Sequence, residues 1–285
     1  MSTTLDYPST NPEAPQGHPG HLTSEQESKV VQLRAALQQA GCTERLDDPS
    51  MCRFLRARKW DINLAKEMFL NCEKWRREFG VDEIAKNFQY PEKEAVSKYY
   101  PQYYHKTDKD GRPVYIEQLG GIDLKKMYEI TTQERMMQNL VYEYEKFVDP
   151  RLPACSRKAG KLIETSCTIL DLKGVGITSI SSVYGYVKQA SQISSDYYPE
   201  RLGKMFLINA PWGFSGAWKM VAKLLDPATV AKINILGSSY QSELLAQIPA
   251  ENLPKQFGGK CDCADRGGNC AMSDAGPWND PQYLK

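Results

Sequence analysis

The chain has 285 residues with 36 Lys plus Arg against 35 Asp plus Glu, a formal net charge of +1, and a composition 41% hydrophobic and 25% charged. Those values describe an ordinary globular protein, long enough to bury a core without metal or disulfide support, and they exclude a nucleic-acid binder that works through bulk charge. No apolar run approaches the roughly 18–20 residues that span a bilayer, and the N-terminus has no apolar signal-peptide core, so the expected location is the cytoplasm.

Residues 1–22 carry five prolines or glycines between Pro12 and Gly20 and no hydrophobic period, and are expected to be a disordered leader. Order begins at a capping box, Thr23 with Gln26, which opens a helix with the stripe Val30, Leu33, Leu37 and Ala40, stopped by Gly41. Asp48-Pro49 reads as the cap and first turn of a short helix carrying Phe54 and Leu55. A third helix runs over about 61–79, with Ala65, Met68, Phe69, Cys72, Trp75 and Phe79 on one face and Gly80 as its stop. Residues 23–90 are therefore expected to form a small helical subdomain.

Beyond Pro91 the pattern alternates short apolar runs with amphipathic helices. Strands are predicted over 113–119, 167–172, 205–209 and 233–236. Between them lie a helix opened by a Thr131/Glu134 capping box, with Met137, Leu140, Tyr144 and Phe147, and one over 177–194, with Ile180, Val183, Tyr184 and Val187. Such alternation predicts an α/β layer with a largely parallel sheet over 91–260, and leaves 261–285 as a C-terminal tail. Over 214–225, Phe214, Ala217, Trp218, Val221, Leu224 and Leu225 make a wide apolar stripe with only Lys219 and Lys223 opposite. That stripe suits core packing first, and it also suits a lid that can meet a membrane. Asp226-Pro227 ends this helix and caps a second short one with Thr229 and Lys232.

Eight scattered cysteines in a chain without a signal peptide are expected to be reduced. Cys261, Cys263 and Cys270 look like a metal group, but no fourth ligand lies nearby in the sequence, and no metal is expected. Two enzyme signatures nearly fit. Gly213-Phe214-Ser215-Gly216-Ala217 resembles a serine nucleophile elbow, yet His18, His21 and His105 all precede it, whereas such a hydrolase needs a later histidine. Lys173-Gly174-Val175-Gly176-Ile177-Thr178-Ser179 follows a predicted strand and opens a helix, with Ser179 where a dinucleotide loop needs its third glycine. Gly203-Lys204 is followed by Met205 and so lacks the Ser/Thr of a P-loop. With no complete catalytic constellation, a binding protein is favoured over an enzyme.

Several strings occur together and in order: FLRARK over 54–59, YYPQYYHKTDKDGRP over 99–113, ETSCTILD over 164–171, YYPERLG over 197–203, INAPWGF over 208–214 and AENLPKQFGG over 250–259. Over about residues 25–260 this closely resembles the CRAL-TRIO lipid-binding family, and within it the fungal phosphatidylinositol/phosphatidylcholine transfer proteins. The resemblance implies a helical N-terminal module on a CRAL-TRIO α/β domain whose apolar cavity holds one phospholipid under a gating helix, with no cofactor. It further implies exchange at Golgi and endosomal membranes in support of phosphoinositide synthesis and secretory traffic, with a phosphatidylinositol kinase as a partner.

Carried over residue by residue, the resemblance assigns the gate to Phe214, Trp218, Val221, Leu224 and Leu225, and a hinge to Gly258 and Gly259, where a plain turn is the equal alternative. It places Arg58, Lys59, Glu200, Thr229 and Lys232, with Asp108 a weaker candidate, around the phosphatidylinositol headgroup. A phosphodiester takes cationic and hydroxyl donors, and Glu200 can pair with Lys59 or Lys232. Read from residues alone, Arg53, Arg56, Arg58 and Lys59 are a solvated basic helix face. For phosphatidylcholine the matching positions are Tyr104, Tyr115, Tyr144, Ser166 and Thr168: a quaternary ammonium cannot donate a hydrogen bond, so recognition falls to aromatic faces, and the two hydroxyls share one strand face. The plain reading of these tyrosines is core packing with one bonded hydroxyl each. Two other readings stand beside this one, a CRAL-TRIO carrier of a sterol-like or prenyl ligand, and a nucleotide-dependent enzyme built on Gly174-Val175-Gly176.

Overall fold

The structure is a computed structural model and describes residues 5–222 and 225–284. Four helices come first: α1 (Ser24–Gln39), α2 (Asp48–Ala57), α3 (Ile62–Phe79) and α4 (Val81–Asn87). The Thr23/Gln26 capping box forms, each side chain bonding the other's backbone N–H. The cap of α2 is Asp47, one residue before the expected Asp48: its carboxylate accepts from the Ser50 N–H, which leaves Pro49 in the first turn, where its missing N–H is harmless. α3 is capped by Asp61 and ends at Gly80 in the left-handed conformation. The stripes of α1, α2 and α3 meet in one core that includes Leu33, Leu37, Met51, Leu55, Ala65 and Phe69.

The second unit adds α5 (Lys93–Ser97) and five strands, β1 (Gln102–Thr107), β2 (Pro113–Gln118), β3 (Ser166–Asp171), β4 (Leu202–Ile208) and β5 (Ile233–Ile235). They form a sheet in the order β1-β2-β3-β4-β5, with β1 antiparallel to β2 and every other pair parallel. The remaining α-helices are α6 (Leu124–Tyr128), α7 (Gln133–Lys146), α8 (Leu152–Ala159), α9 (Ile177–Tyr197), α10 (Phe214–Ala222), α11 (Pro227–Val230) and α12 (Gln241–Gln247). Of the stripe expected on α9, the side chains of Ile180, Val183, Tyr184 and Val187 lie outside the described residues. The cap of α7 is Thr132, bonding the Arg135 N–H, and not the expected Thr131. β1 was not expected at all.

The two faces of the sheet differ in kind. On one, Val114, Ile116, Cys167, Ile169, Phe206 and Ile208 are each at most 1% exposed and pack against Leu244, Ile248, Leu253 and Phe257. That face is dry and closed by α12 and the segment after it. On the other, the register aligns Tyr104, Tyr115, Thr168, Met205 and Ile233 in one row and Gln102, Glu117, Leu170, Leu207 and Ile235 in the next. Here Tyr115, Glu117, Leu170, Met205 and Ile233 keep accessible surface, and Ile235 is exposed. This face is thus less tightly packed than the sealed one.

Two terminal segments depart from expectation. Residues 5–22 hold no helix or strand, but they are not a free leader. The Thr10 carbonyl accepts from the Leu162 N–H at 2.7 Å, Asp6 pairs with Arg157 at 2.8 Å, Glu13 pairs with Lys161, and the Gly17 carbonyl accepts from Arg56 at 3.0 Å. Anchoring by backbone hydrogen bonds and single charges leaves no periodic trace in composition. The tail is also integrated: Trp278 is buried against Tyr104, Phe147 and Cys155, and its Nε1–H donates to the Asp274 carbonyl.

The basic face of α2 is not solvated as its charge suggests. Arg53 Nη1 lies 2.9 Å from Glu164 Oε1 and Arg56 Nη2 3.7 Å from Glu164 Oε2, while Arg201 donates to the Glu164 carbonyl at 3.1 Å. Burial, with the charge of Arg53 adding to it, pulls the Arg201 pKa down. Glu164 thus compensates Arg53 and shares Arg56 with a second carboxylate, Glu200, where the helical unit joins the sheet. Glu164→Ala is expected to cost about 3–5 kcal/mol in urea unfolding, because it strands buried guanidinium charge. A loss below about 1 kcal/mol would show that water replaces the carboxylate at no net cost.

Candidate functional site

The open face of the sheet collects the residues expected to meet phosphatidylcholine. Tyr104 and Tyr115 are cross-strand partners with ring centroids 5.0 Å apart, and Ser166 Oγ lies 3.3 Å from Thr168 Oγ1 on the neighbouring strand. Tyr144 enters from α7, stacked on Tyr198 at 4.4 Å, and packs with Tyr115 on the Tyr104–Phe147 cluster. Burial raises the phenol pKa of both Tyr115 and Tyr144, so they remain neutral hydrogen-bond donors. Tyr104 is already engaged. The Arg151 guanidinium sits 4.4 Å from its ring centroid and Phe147 stacks on it at 5.5 Å, which leaves Tyr115 and Tyr144 as the aromatic surfaces with accessible area.

Glu117 was not singled out from sequence. It lies two residues along β2 from Tyr115, on the same face, and accepts a hydrogen bond from the Tyr100 hydroxyl. Burial raises its pKa, opposed by hydrogen bonds from Tyr100 and Tyr115. The alternation Tyr115-x-Glu117 was the available signal, since it puts a carboxyl beside the tyrosine on a strand.

The residues expected at the inositol phosphate divide into a cluster and an outlier. Glu200 Oε2 lies 4.0 Å from Lys232 Nζ, one of its two expected partners, and 3.5 Å from Arg56 Nε, which was not expected. Thr229 and Lys232 share one turn, the Thr229 carbonyl accepting from the Lys232 N–H at 3.1 Å. Arg58 and Lys59 follow α2 immediately after Arg56, and Arg58 donates to the Ala57 carbonyl. Three residues here, Lys59, Trp60 and Glu200, have positive φ of 50°, 64° and 59°. Such non-glycine strain costs about 1–3 kcal/mol each and persists where surrounding structure enforces it, often at ligand sites. Asp108 is the outlier. Its carboxylate accepts from the backbone N–H groups of Asp110 and Arg112, from Arg112 Nη1 and from Gln247, and so clamps the β1–β2 hairpin. Committed in this way, it has no capacity for an inositol hydroxyl.

Of the residues expected to form the gate, Phe214, Trp218 and Val221 fall on α10, and Leu225 lies beyond its end at Ala222. Phe214, Trp218 and Leu225 are half-buried, and Trp212, just before the helix, is fully exposed. Leu224 and the side chain of Val221 lie outside the described residues. Asp226 caps α11 by accepting from the Ala228 N–H at 2.8 Å, as expected. Gly258 and Gly259 sit in a hydrogen-bonded turn: the Gly258 N–H donates to the Lys255 carbonyl and the Gly259 N–H to that of Pro254. A Cβ at Gly259 would stand 1.9 Å from the Leu253 carbonyl oxygen. Glycine is needed there for close packing of the turn. Two surface clefts, of about 390 and 280 Å³, lie elsewhere and are bordered by none of the lipid-candidate residues.

Comparison with known proteins yields two family models, the CRAL/TRIO domain over residues 97–259 and the CRAL/TRIO N-terminal domain over residues 29–71. The Sec14 cytosolic factor of Schizosaccharomyces pombe is 65% identical over 286 residues, covering 100% of this chain and 99% of its own length. The SEC14 cytosolic factor of Kluyveromyces lactis is 61% identical, covering 94% of this chain and 89% of its own. The phosphatidylinositol/phosphatidylcholine transfer protein SFH4 of Arabidopsis thaliana is 48% identical over 82% of this chain and 39% of its own. Among solved structures, the crystal structure of Sfh5 matches with a TM-score of 0.67 at 18% identity, covering 89% of this chain and 92% of that one, a likeness of fold.

Proposed function

Because the chain belongs to the CRAL/TRIO family, we propose that it is a phosphatidylinositol/phosphatidylcholine transfer protein, which takes one phospholipid at a time from a membrane and exchanges it there for another. The observation that carries this reading is the asymmetry of the sheet, one face sealed and the other keeping accessible surface at Tyr115, Leu170, Met205 and Ile233. Two acyl chains with about 32 methylenes, at about 0.8 kcal/mol each, would cost roughly 25 kcal/mol if exposed to water. Free lipid therefore does not cross between membranes unaided. A cavity about as apolar as the bilayer makes loading and unloading nearly balanced when one lipid replaces another.

Exchange of this kind needs neither bond chemistry nor a nucleotide, so the protein acts as a carrier and not a catalyst. Tyr115, Tyr144, Ser166 and Thr168, with Tyr104 as their packed support, receive phosphatidylcholine; Arg58, Lys59, Thr229 and Lys232 receive the inositol phosphate, with Glu200, itself paired with Arg56, holding Lys232 in place. α10 is the cover, and the exposed Trp212 is suited to the bilayer interface, where amphipathic indoles settle. No helix among the described residues is long and apolar enough to cross a membrane. The protein works from the cytosol with brief contact at Golgi and endosomal membranes, where exchange supports phosphoinositide synthesis by a lipid kinase and secretory traffic.

Mass spectrometry of lipid extracted from the purified protein tests the reading. Phosphatidylinositol and phosphatidylcholine at about one lipid per chain are expected, since one cavity serves both. A sterol or prenyl lipid in their place would make it a CRAL/TRIO carrier of another cargo, and bound nucleotide without lipid would overturn the carrier reading.

A further inference from the structure

The three C-terminal cysteines lacked a fourth ligand in their own stretch of sequence, and the fold supplies one from 156 residues away. His105 on β1 lies beside Cys261, Cys263 and Cys270, and the ligand atoms of all four lie within 4.8 Å of one another. His105 Nε2 is 3.4 Å from Cys261 Sγ, and Cys261 Sγ is 3.7 Å from Cys263 Sγ. Around a tetrahedral zinc with Zn–S of about 2.3 Å and Zn–N of about 2.0–2.1 Å, neighbouring ligand atoms stand about 3.5–3.8 Å apart. The His105–Cys261 and Cys261–Cys263 separations match such edges within about 0.2 Å, and the remaining pairs stay within 4.8 Å. We propose that His105, Cys261, Cys263 and Cys270 form a structural zinc site.

The surroundings match what such a site needs. Ser273 Oγ donates its proton to the Cys270 carbonyl at 3.0 Å and lies 3.4 Å from His105 Nδ1. With its own proton so placed, the hydroxyl accepts from Nδ1–H, which leaves the lone pair of Nε2 facing the sulfurs. That is the tautomer a metal requires. The chain between the cysteines is shaped to return: Cys263 has φ of 50°, its carbonyl accepts from the Arg266 and Gly268 N–H groups at 2.8 Å each, and Gly267 and Gly268 have φ of 84° and 73°. This turn brings Cys270 back to within reach of Cys261. His105, Cys261 and Cys263 are buried, and four protein ligands close the coordination shell, so the site is structural and carries no open position for a reaction. Its mechanical consequence is clear from its neighbours. It ties the segment that delivers Trp278 to the strand whose preceding residue, Tyr104, Trp278 packs against.

The test uses the full chain purified in reductant without chelator. Elemental analysis and native mass spectrometry are expected to give one zinc per chain that survives desalting, and cobalt put in its place is expected to show the strong visible absorption of tetrahedral cobalt thiolate. Cys263→Ser combined with Cys270→Ser lowers the zinc content more than about tenfold, and a chelator lowers the wild-type Tm by about 5 °C or more. Wild-type protein that stays metal-free after incubation with zinc and reductant overturns the proposal. So does zinc content unchanged by the double substitution, or a disulfide among these cysteines in reduced, zinc-supplied protein. The wild-type measurement decides even if the variant does not fold.

Discussion

Trp218→Asp abolishes vesicle-to-vesicle transfer of both phosphatidylinositol and phosphatidylcholine while the protein stays folded. Trp218 is half-buried on α10, the helix proposed above as the cover. An aspartate there must enter the interface or face the cavity, and a carboxylate at apolar depth costs about 3 kcal/mol, or roughly a hundredfold in rate if opening against a membrane limits exchange. The check is a transfer assay with labelled lipid between donor and acceptor vesicles, alongside thermal unfolding of the same preparation. Trp218→Phe keeps the apolar area and should keep most of the activity. Wild-type transfer rates in Trp218→Asp would remove α10 from the role of gate.

Ser166→Ala with Thr168→Val lowers phosphatidylcholine transfer by about tenfold or more and leaves phosphatidylinositol transfer within about twofold. The two hydroxyls lie 3.3 Å apart on one strand face, where both can bond one phosphate. Removing them together takes away both partners of a mutual hydrogen bond, and replacement by apolar groups of similar shape is nearly neutral for folding. The proposed inositol-phosphate site instead lies around Glu200 and Lys232, so phosphatidylinositol exchange is expected not to depend on this strand. Measuring both lipids with the same variant separates the outcomes. Equal loss of both would mean that one headgroup site serves the two lipids.

Much of the local structure was legible in advance. The Thr23/Gln26 box, the Gly80 stop, the Asp226 cap and four of the five strands formed within a few residues of where caps, turns and periodicity put them. Each of these signals is carried by residues within a few positions of one another. The misplaced caps at α2 and α7 were adjacent-residue choices, Asp47 against Asp48 and Thr132 against Thr131, which the final geometry of the helix decides. β1 escaped because its Tyr-Tyr-His-Lys run shows no apolar alternation. Tyr103 and His105 face the sealed side and Tyr104 the open one, so both faces of the strand are used by side chains that look polar.

What the sequence determined by itself was the order and type of most elements and the family resemblance, several of whose matched positions, Tyr104, Tyr115, Ser166 and Thr168, lie on β1–β3. What only the tertiary structure decided was which distant side chains meet. Arg53 and Arg56 looked like a solvated stripe until the sheet delivered Glu164, Asp108 looked free until the hairpin claimed both its oxygens, and three cysteines lacked a partner until β1 brought His105. The physical reason is one of range. Helix caps and strand alternation are energies of neighbouring residues, whereas ion pairs, metal ligands and the distinction between a packed and an open sheet face arise from contacts that exist only after elements far apart in the chain have docked.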